Sequence, residues 1–471
     1  MAGDGGAATS TLDAASAPTL KRELGLAMAT ALVIGNMIGS GIFLLPSSLA
    51  AEAGPASLVA WVFTGAGAMF LALVFATLGR AYPKTGGPYV YVRKAFGDLM
   101  GFWTAWTYWI ALWVGNAAIA TAFAGYLAVF WADASSPWTA TTLSIALVWA
   151  MTLVNLAGVR EAGRVQLVTA VIKFVPLLLI GVVGLFYIDT DNFQPFTTVE
   201  GFDWGINAAA LLTLWAFVGL ESATVPAEEV KDPERTIPRA TIIGTAGVAA
   251  VYLLSSFALF GMIPSATLAE STSPFADGAN LIFGGTSGGE AIAIVAMISI
   301  VGALNGWILL QGRVPLAAAQ DGLFPDRFAA VDEKRGTPVF GIVFSSVLAT
   351  ALLALNFREG GGVVDLFTEI ITIATLAALI PYAFAAAAEI YLAIVDRESF
   401  SGVNLARSSV IALLALAYST WAIRGAGYEA VTEGFMLLLV GMPVFLWVTW
   451  RGRRGQAGGS EVAASPSILS P

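Results

Sequence analysis

Apolar residues gather in twelve stretches along this chain, each long enough to cross a bilayer as a helix. They predict spans at 24–51, 56–79, 99–131, 139–158, 165–188, 206–227, 240–263, 288–311, 339–356, 363–394, 408–424 and 429–450. The connecting segments alternate in charge. Lys21 and Arg22 precede the first span, and Arg80, Lys84, Arg93 and Lys94 follow the second. Arg160 and Arg164 follow the fourth, and basic residues recur after the sixth, eighth, tenth and twelfth. Of the 23 Lys and Arg, all but Arg358, Arg424 and Lys173 fall on one side. Cytoplasmic loops carry the excess of basic residues, so both termini are predicted to be cytoplasmic. Residues 1–23 and 451–471 read as disordered tails, and the first has no apolar core of a signal peptide.

Two interruptions stand out against this pattern. In GNMIGSGIFLLP, from Gly35 to Pro46, Gly39, Ser40 and Gly41 sit at mid-depth of the first span. An interior Gly costs a helix about 1 kcal/mol relative to Ala. In hydrocarbon every freed N–H and C=O must find a partner. Two readings fit: a helix opened to turn backbone groups toward a solute, or a small-residue seam where two helices approach closely. The sixth span carries a second interruption, LWAFVGLES, centred near Gly219. Long loops start near Arg80 and near Pro264. Each pair of landmarks is separated by roughly 180 residues, which predicts a five-span repeat over about 24–188 and 206–394. Five is odd, so the second unit is inverted. Spans eleven and twelve, 395–450, lie outside the repeat.

Composition fixes the broad class. The chain has 471 residues, 57% hydrophobic and only 12% charged, with a mean hydropathy of +0.79. A soluble chain carries about 25% charged residues, so this is an all-α integral membrane protein. It has no Cys and no His. That excludes disulfides and thiolate metal sites and removes the commonest general base. No phosphate loop, metal cluster or nucleophile–base pair is visible, so neither covalent chemistry nor a cofactor is predicted. The net charge of −9 says little about the partners of an integral membrane protein, and no nucleic-acid partner is expected.

The chemistry lies in polar groups at membrane depth, each costly there and by default a functional hypothesis. Glu221 follows the break in span six, near the start of an expected half-helix whose dipole favours an anion. Lys173 lies mid-way along span five, as a proton carrier or a fixed internal cation, with a structural tie as the alternative. Asn36, Tyr108, Asn116 and Asn305 are further polar groups. Each either faces a cavity or bonds a neighbouring helix. Tyr108 and Asn116, eight residues apart, lie about 80° apart around a helix, so one cavity could take both. Trp215 and Trp307 sit near mid-span rather than in an interfacial belt, placed to cover or stack on a solute or to pack the bundle. In span ten, Asp365 and Glu389 are expected near the ends, and Glu369 beside a vestibule.

GNMIGSGIFLLP, GGPYVYVRKAFG at 86–97, TLWAFVGLESATVPAEEVKDPERTIPRA at 213–240 and DGLFP at 321–325 resemble the amino acid–polyamine–organocation superfamily. Within it, the chain is most similar to the bacterial basic amino acid/polyamine antiporters, which include arginine/agmatine and putrescine/ornithine exchangers. The resemblance covers about residues 24–450. It implies a LeuT-like inverted repeat of five plus five helices, with helices 1 and 6 broken. It implies that Gly39, Ser40 and Gly41 take a substrate carboxylate, and that the carbonyls of Met37, Trp215 and Val218 take its amino group. Trp215 resembles an aromatic gate, while Tyr108, Ala111, Leu112, Asn116, Trp307 and Ala374 line the side-chain position. Glu221 resembles the family carboxylate of proton sensitivity and amine handling. The chain departs from the arginine exchanger at Leu112, Ala216 and Ala374, where that protein is more polar. Lys173 resembles the span-five lysine of broader permeases, where sodium-coupled relatives hold a sodium ion. The exchanger relatives form dimers, which implies a homodimer.

The sequence therefore predicts a plasma-membrane or inner-membrane amino acid permease working by alternating access, proton-linked or exchanging. Neutral or mixed side chains are expected to be accepted at least as well as arginine. Two alternatives stand beside it: an antiporter of lysine, ornithine or arginine against their amines, and a membrane sensor that binds amino acids without transporting them.

Overall fold

The computed structural model describes residues 22, 24–157, 159–197, 199, 205–332, 334–356 and 362–463. The first predicted tail lies outside the described residues except for Arg22, as do Arg358 and residues 464–471. Among the described residues the fold is helical, with only two isolated β-bridges, Leu24 to Val230 and Asp332 to Thr337.

The first stretch is two helices, α1 (Leu26–Met37) and α2 (Ser40–Glu52). Next come α3 (Ser57–Ala81), α4 (Pro88–Phe96), α5 (Asp98–Leu127), α6 (Pro137–Ala157) and α7 (Val159–Val183). After α8 (Ile206–Trp215) the chain turns irregularly before α9 (Pro233–Met262). Two short helices, α10 (Ser265–Glu270) and α11 (Pro274–Phe283), lead into α12 (Ser287–Gln320). The chain ends with α13 (Val339–Asn356), α14 (Val363–Val395), α15 (Leu405–Arg424) and α16 (Gly427–Ala463). Among the described residues ten helices are long and apolar enough to cross a membrane, with α1 and α2 taken as one. Two more, α8 and α13, are shorter and apolar.

Four differences from the sequence reading have local causes. The half-helix expected after the second break is absent: residues 222–224 and 227–229 form 3-10 turns. Pro226 and Pro233 deny the backbone the N–H groups a continuous helix needs. Glu221 therefore gets no dipole from a half-helix. At the other end of the chain, α12 continues to Gln320, so Arg313 lies within a helix, paired with Glu229 at 2.9 Å. The last helix runs on to Ala463, past the position where the second tail was expected to start. Finally, Glu389 is buried, and its carboxylate accepts the Ser408 hydroxyl from α15. Asp365, by contrast, sits at the start of α14 and accepts the Gly362 N–H.

α5 is the central post, packed against α12 and α14, while α16 stands at the periphery. Exposed Phe435, Met436, Leu439, Val440 and Leu446 on α16 face outward, as expected of a helix against lipid rather than water. The amphipathic α4 is bounded by Gly87 and Gly97, both at positive φ, and starts on Pro88. Its buried side docks Tyr89, Tyr91 and Val92. Its charged side ties two distant helix ends together. Arg93 reaches Asp321 after α12 at 2.6 Å, and Lys94 reaches Asp396 after α14 at 3.4 Å. The hydroxyls of Tyr89 and Tyr82 donate to the same two carboxylates at 2.7 and 2.8 Å. The Tyr82 hydrogen bond holds the Asp396 carboxyl below the usual carboxylate range.

Candidate functional site

The last four carbonyls of a helix have no intrahelical partner. At the opened end of α1 the first is closed by the cap residue and the other three are supplied by neighbouring helices. Ile34 O accepts the Ile38 N–H at 2.8 Å. Gly35 O accepts the Lys173 ammonium from α7 at 2.9 Å. Asn36 O accepts the Trp307 indole N–H from α12 at 3.1 Å. Met37 O accepts the Tyr252 hydroxyl from α9 at 2.7 Å and the Gly39 N–H at 3.0 Å. Three neighbouring helices thus hold the break open.

Across the break, α2 begins without a side-chain cap. The N–H groups of its first turn have no intrahelical acceptor, and they point with the helix dipole. The Ser40 hydroxyl beside them is buried and unpartnered among the described residues. Free amides plus a free hydroxyl at a helix N-terminus form a site for an anion such as a carboxylate. Glycine is needed at Gly41: a Cβ there would stand 3.0 Å from the Ala216 Cα and 3.2 Å from Trp215 Cδ1. That close approach presses α2 onto the end of α8.

The second break meets the first at Asn36. The Asn36 side-chain amide donates to Ser222 Oγ at 2.8 Å. Gly219 adopts φ +112, open to glycine alone, and a Cβ there would lie 3.1 Å from the Asn36 backbone carbon. Its N–H donates to Glu221 Oε2 at 3.1 Å. The two oxygens of the buried Glu221 also accept the hydroxyls of Tyr108 and Tyr382. Glu221 is therefore held by neutral donors from α5, α14 and its own turn. Lys173 and Glu221 are each fastened to one break, and the hydrogen bond of Lys173 goes to a carbonyl.

A small, tight cavity lies where the breaks face each other. Asn36, Met37, Gly39, Ser40, Gly41, Trp215 and Trp307 line it, together with Ile119. The two indoles roof it as a tilted pair, ring centroids 5.2 Å apart. Tyr108, Ala111, Leu112, Asn116, Ala216, Val218, Glu221, Lys173 and Ala374 are buried around the cavity without lining it. Asn305 is committed elsewhere: its Oδ1 accepts Asn155 of α6 at 2.8 Å, a helix-to-helix tie.

The family described as amino acid permease matches residues 24–447. The chain belongs to that family. It is 35% identical over 428 residues to the cadaverine/lysine antiporter of Escherichia coli, covering 89% of this chain and 93% of that protein. It is 30% identical over 435 residues to the putrescine transporter PotE of Haemophilus influenzae, covering 91% and 98%. These relatives are transporters, and this chain is a multi-pass membrane transporter of the same antiporter group.

Several supporting residues were not singled out in the sequence. Ile119 was within reach, since it extends the α5 stripe of Tyr108, Leu112 and Gly115 by one turn. Gly115 packs under both indoles: a Cβ there would stand 2.7 Å from each ring. Tyr252, Tyr382 and Gln311 are polar groups inside apolar runs, and that was their only signal.

Proposed function

We propose that this transporter exchanges a basic amino acid of the lysine or ornithine type for a related amine, by alternating access around the cavity between the breaks. The observation that carries this reading is the start of α2. Its free N–H groups and the unpartnered Ser40 hydroxyl face a cavity roofed by two tryptophans. The N–H groups suit a carboxylate and the indole faces suit a cation. The names of the relatives, cadaverine/lysine antiporter and putrescine transporter, favour an amine-bearing side chain. The apolar Leu112, Ala216 and Ala374 disfavour a guanidinium, which needs several acceptors.

The same reading takes the helices as twelve spans in an inverted repeat, with both termini in the cytoplasm and a homodimer as the assembled form. In its support, the breaks after Met37 and Trp215 lie roughly 180 residues apart, as do α4 and α10. Lys173 is assigned the internal-cation role and Glu221, with Tyr108, the proton-sensitive role.

The test is exchange in proteoliposomes. They are loaded with unlabelled lysine and offered a labelled panel, with and without a pH gradient, and with sodium replaced by choline. Uptake of label that requires internal lysine and persists in choline is expected. Binding without uptake would identify a sensor instead, and a strict sodium requirement would remove Lys173 from its role. Putrescine, which lacks the carboxylate, should bind more weakly than ornithine.

A further inference from the structure

A buried amide relay runs outward from the site. The α13 backbone carbonyl of Ile342 can only accept, and it takes Gln311 Nε2 of α12 at 3.2 Å. The second proton of that amide goes to Ser346 Oγ at 3.0 Å, whose own proton goes to Ile342 O at 2.9 Å. Ser346 also pairs with Thr152 Oγ1 of α6 at 2.7 Å. Both donors of Gln311 are thereby committed, so its oxygen must face α5. There it accepts Asn116 Nδ2 at 2.7 Å. Asn116 in turn must direct its oxygen away from Gln311. That Oδ1 is fully buried and unpartnered among the described residues. A buried acceptor left unmade costs about 1–3 kcal/mol, so the arrangement is one a ligand would complete. On α5 its neighbours are Gly115, under both indoles, and Ile119, on the cavity wall about 4.5 Å further along the axis.

We infer that Gln311 is a positioning residue that sets the polarity of the substrate site. By holding the Asn116 amide it leaves that buried oxygen, just behind the cavity wall at Ile119, as the acceptor that the distal end of the substrate would reach. The ligand class is a side chain ending in a hydrogen-bond donor, a protonated amine above all, and an isosteric chain ending in methyl is rejected. This rests on the proposed amino acid exchange and adds to it a residue outside the cavity lining, one turn beyond Trp307 on α12, that decides side-chain selectivity.

The test measures KM and kcat for external lysine and norleucine in lysine-loaded proteoliposomes. The wild-type protein should favour lysine by about ten- to a hundredfold in KM, the range of a charge-assisted hydrogen bond. Gln311→Met should erase most of that ratio by raising KM for lysine, with kcat for norleucine unchanged. Asn116→Leu should likewise raise KM for lysine, and Gln311→Met added to it should have no further effect on the lysine-to-norleucine ratio. Ser346→Ala removes one of the two acceptors of Gln311 and should shift the ratio the same way by less, which keeps the test alive should Gln311→Met not insert. Equal KM for lysine and norleucine in the wild type, or variants that change both substrates alike, would overturn the inference while leaving exchange itself intact. Absence of any exchange by the wild type would instead remove the proposed function, and the inference with it.

Discussion

Ser40 separates folding from binding more cleanly than any other side chain here. Its hydroxyl is buried with no partner among the described residues, so Ser40→Ala breaks no hydrogen bond seen in the fold. The thermal midpoint in detergent should stay within a degree or two. Affinity for a substrate bearing a carboxylate should fall about tenfold or more, the worth of one charge-assisted hydrogen bond. An unchanged KM for lysine would show that the carboxylate sits elsewhere. Gly41→Val tests the same place by bulk. The Cβ alone would crowd Ala216 and Trp215, and the branches would enter the cavity, so exchange should vanish while insertion persists. Much of this was legible in the sequence, because a Gly-Ser-Gly run at mid-membrane is expensive unless used. The unpartnered state of Ser40 was not legible, since it depends on which groups of α8 and α12 stop short of it. The same holds for Asn116: its type could be read as polar and at membrane depth, but the direction of its amide is set by a carbonyl on α13, over two hundred residues away.

At the scale of elements, α7 is fastened to α1 by one hydrogen bond from Lys173 to Gly35 O, made in the middle of an apolar bundle. Removing the ammonium leaves that carbonyl without a donor, at a cost of about 1–3 kcal/mol. Lys173→Met should therefore loosen the opened end of α1 first, because Trp307 and Tyr252 still hold the two carbonyls that follow. Faster hydrogen exchange confined to the break is expected, together with loss of accumulation driven by a pH gradient. A variant that keeps its pH response would make the lysine purely structural. The helical pattern announced α1 and α2 and their break because small residues interrupt an otherwise apolar run. It did not announce the 3-10 path after Trp215. There the expectation of a half-helix rested on analogy with the first break, while Pro226, Pro233 and the positive φ of Gly219 set the actual path.

For the whole molecule, α4 ties Asp321 to Asp396, at the ends of two helices that both pack on α5. These pairs are partly exposed, so each is a modest tie, and together they bias a two-state equilibrium between latched and unlatched arrangements. The sign with pH follows from Asp396. Its carboxyl is held below the usual range in this arrangement, so its tie is present above the ordinary carboxylate value and is lost as pH falls through the lowered one. Acid should therefore unlatch this end. The chain has no cysteine, so a single introduced thiol reports the change without background. Val225 is fully buried, and its carbonyl accepts the Gly86 N–H just ahead of α4 at 3.0 Å. In Val225→Cys, a membrane-impermeant thiol reagent applied from the α4 side should react slowly. Adding Asp321→Asn and Asp396→Asn should raise the rate, and saturating substrate should change it in both backgrounds if the same motion carries the solute across. Equal rates with and without the two aspartates would place the closing contacts away from α4, leaving the pair Arg313–Glu229, at 2.9 Å, as the next to be removed.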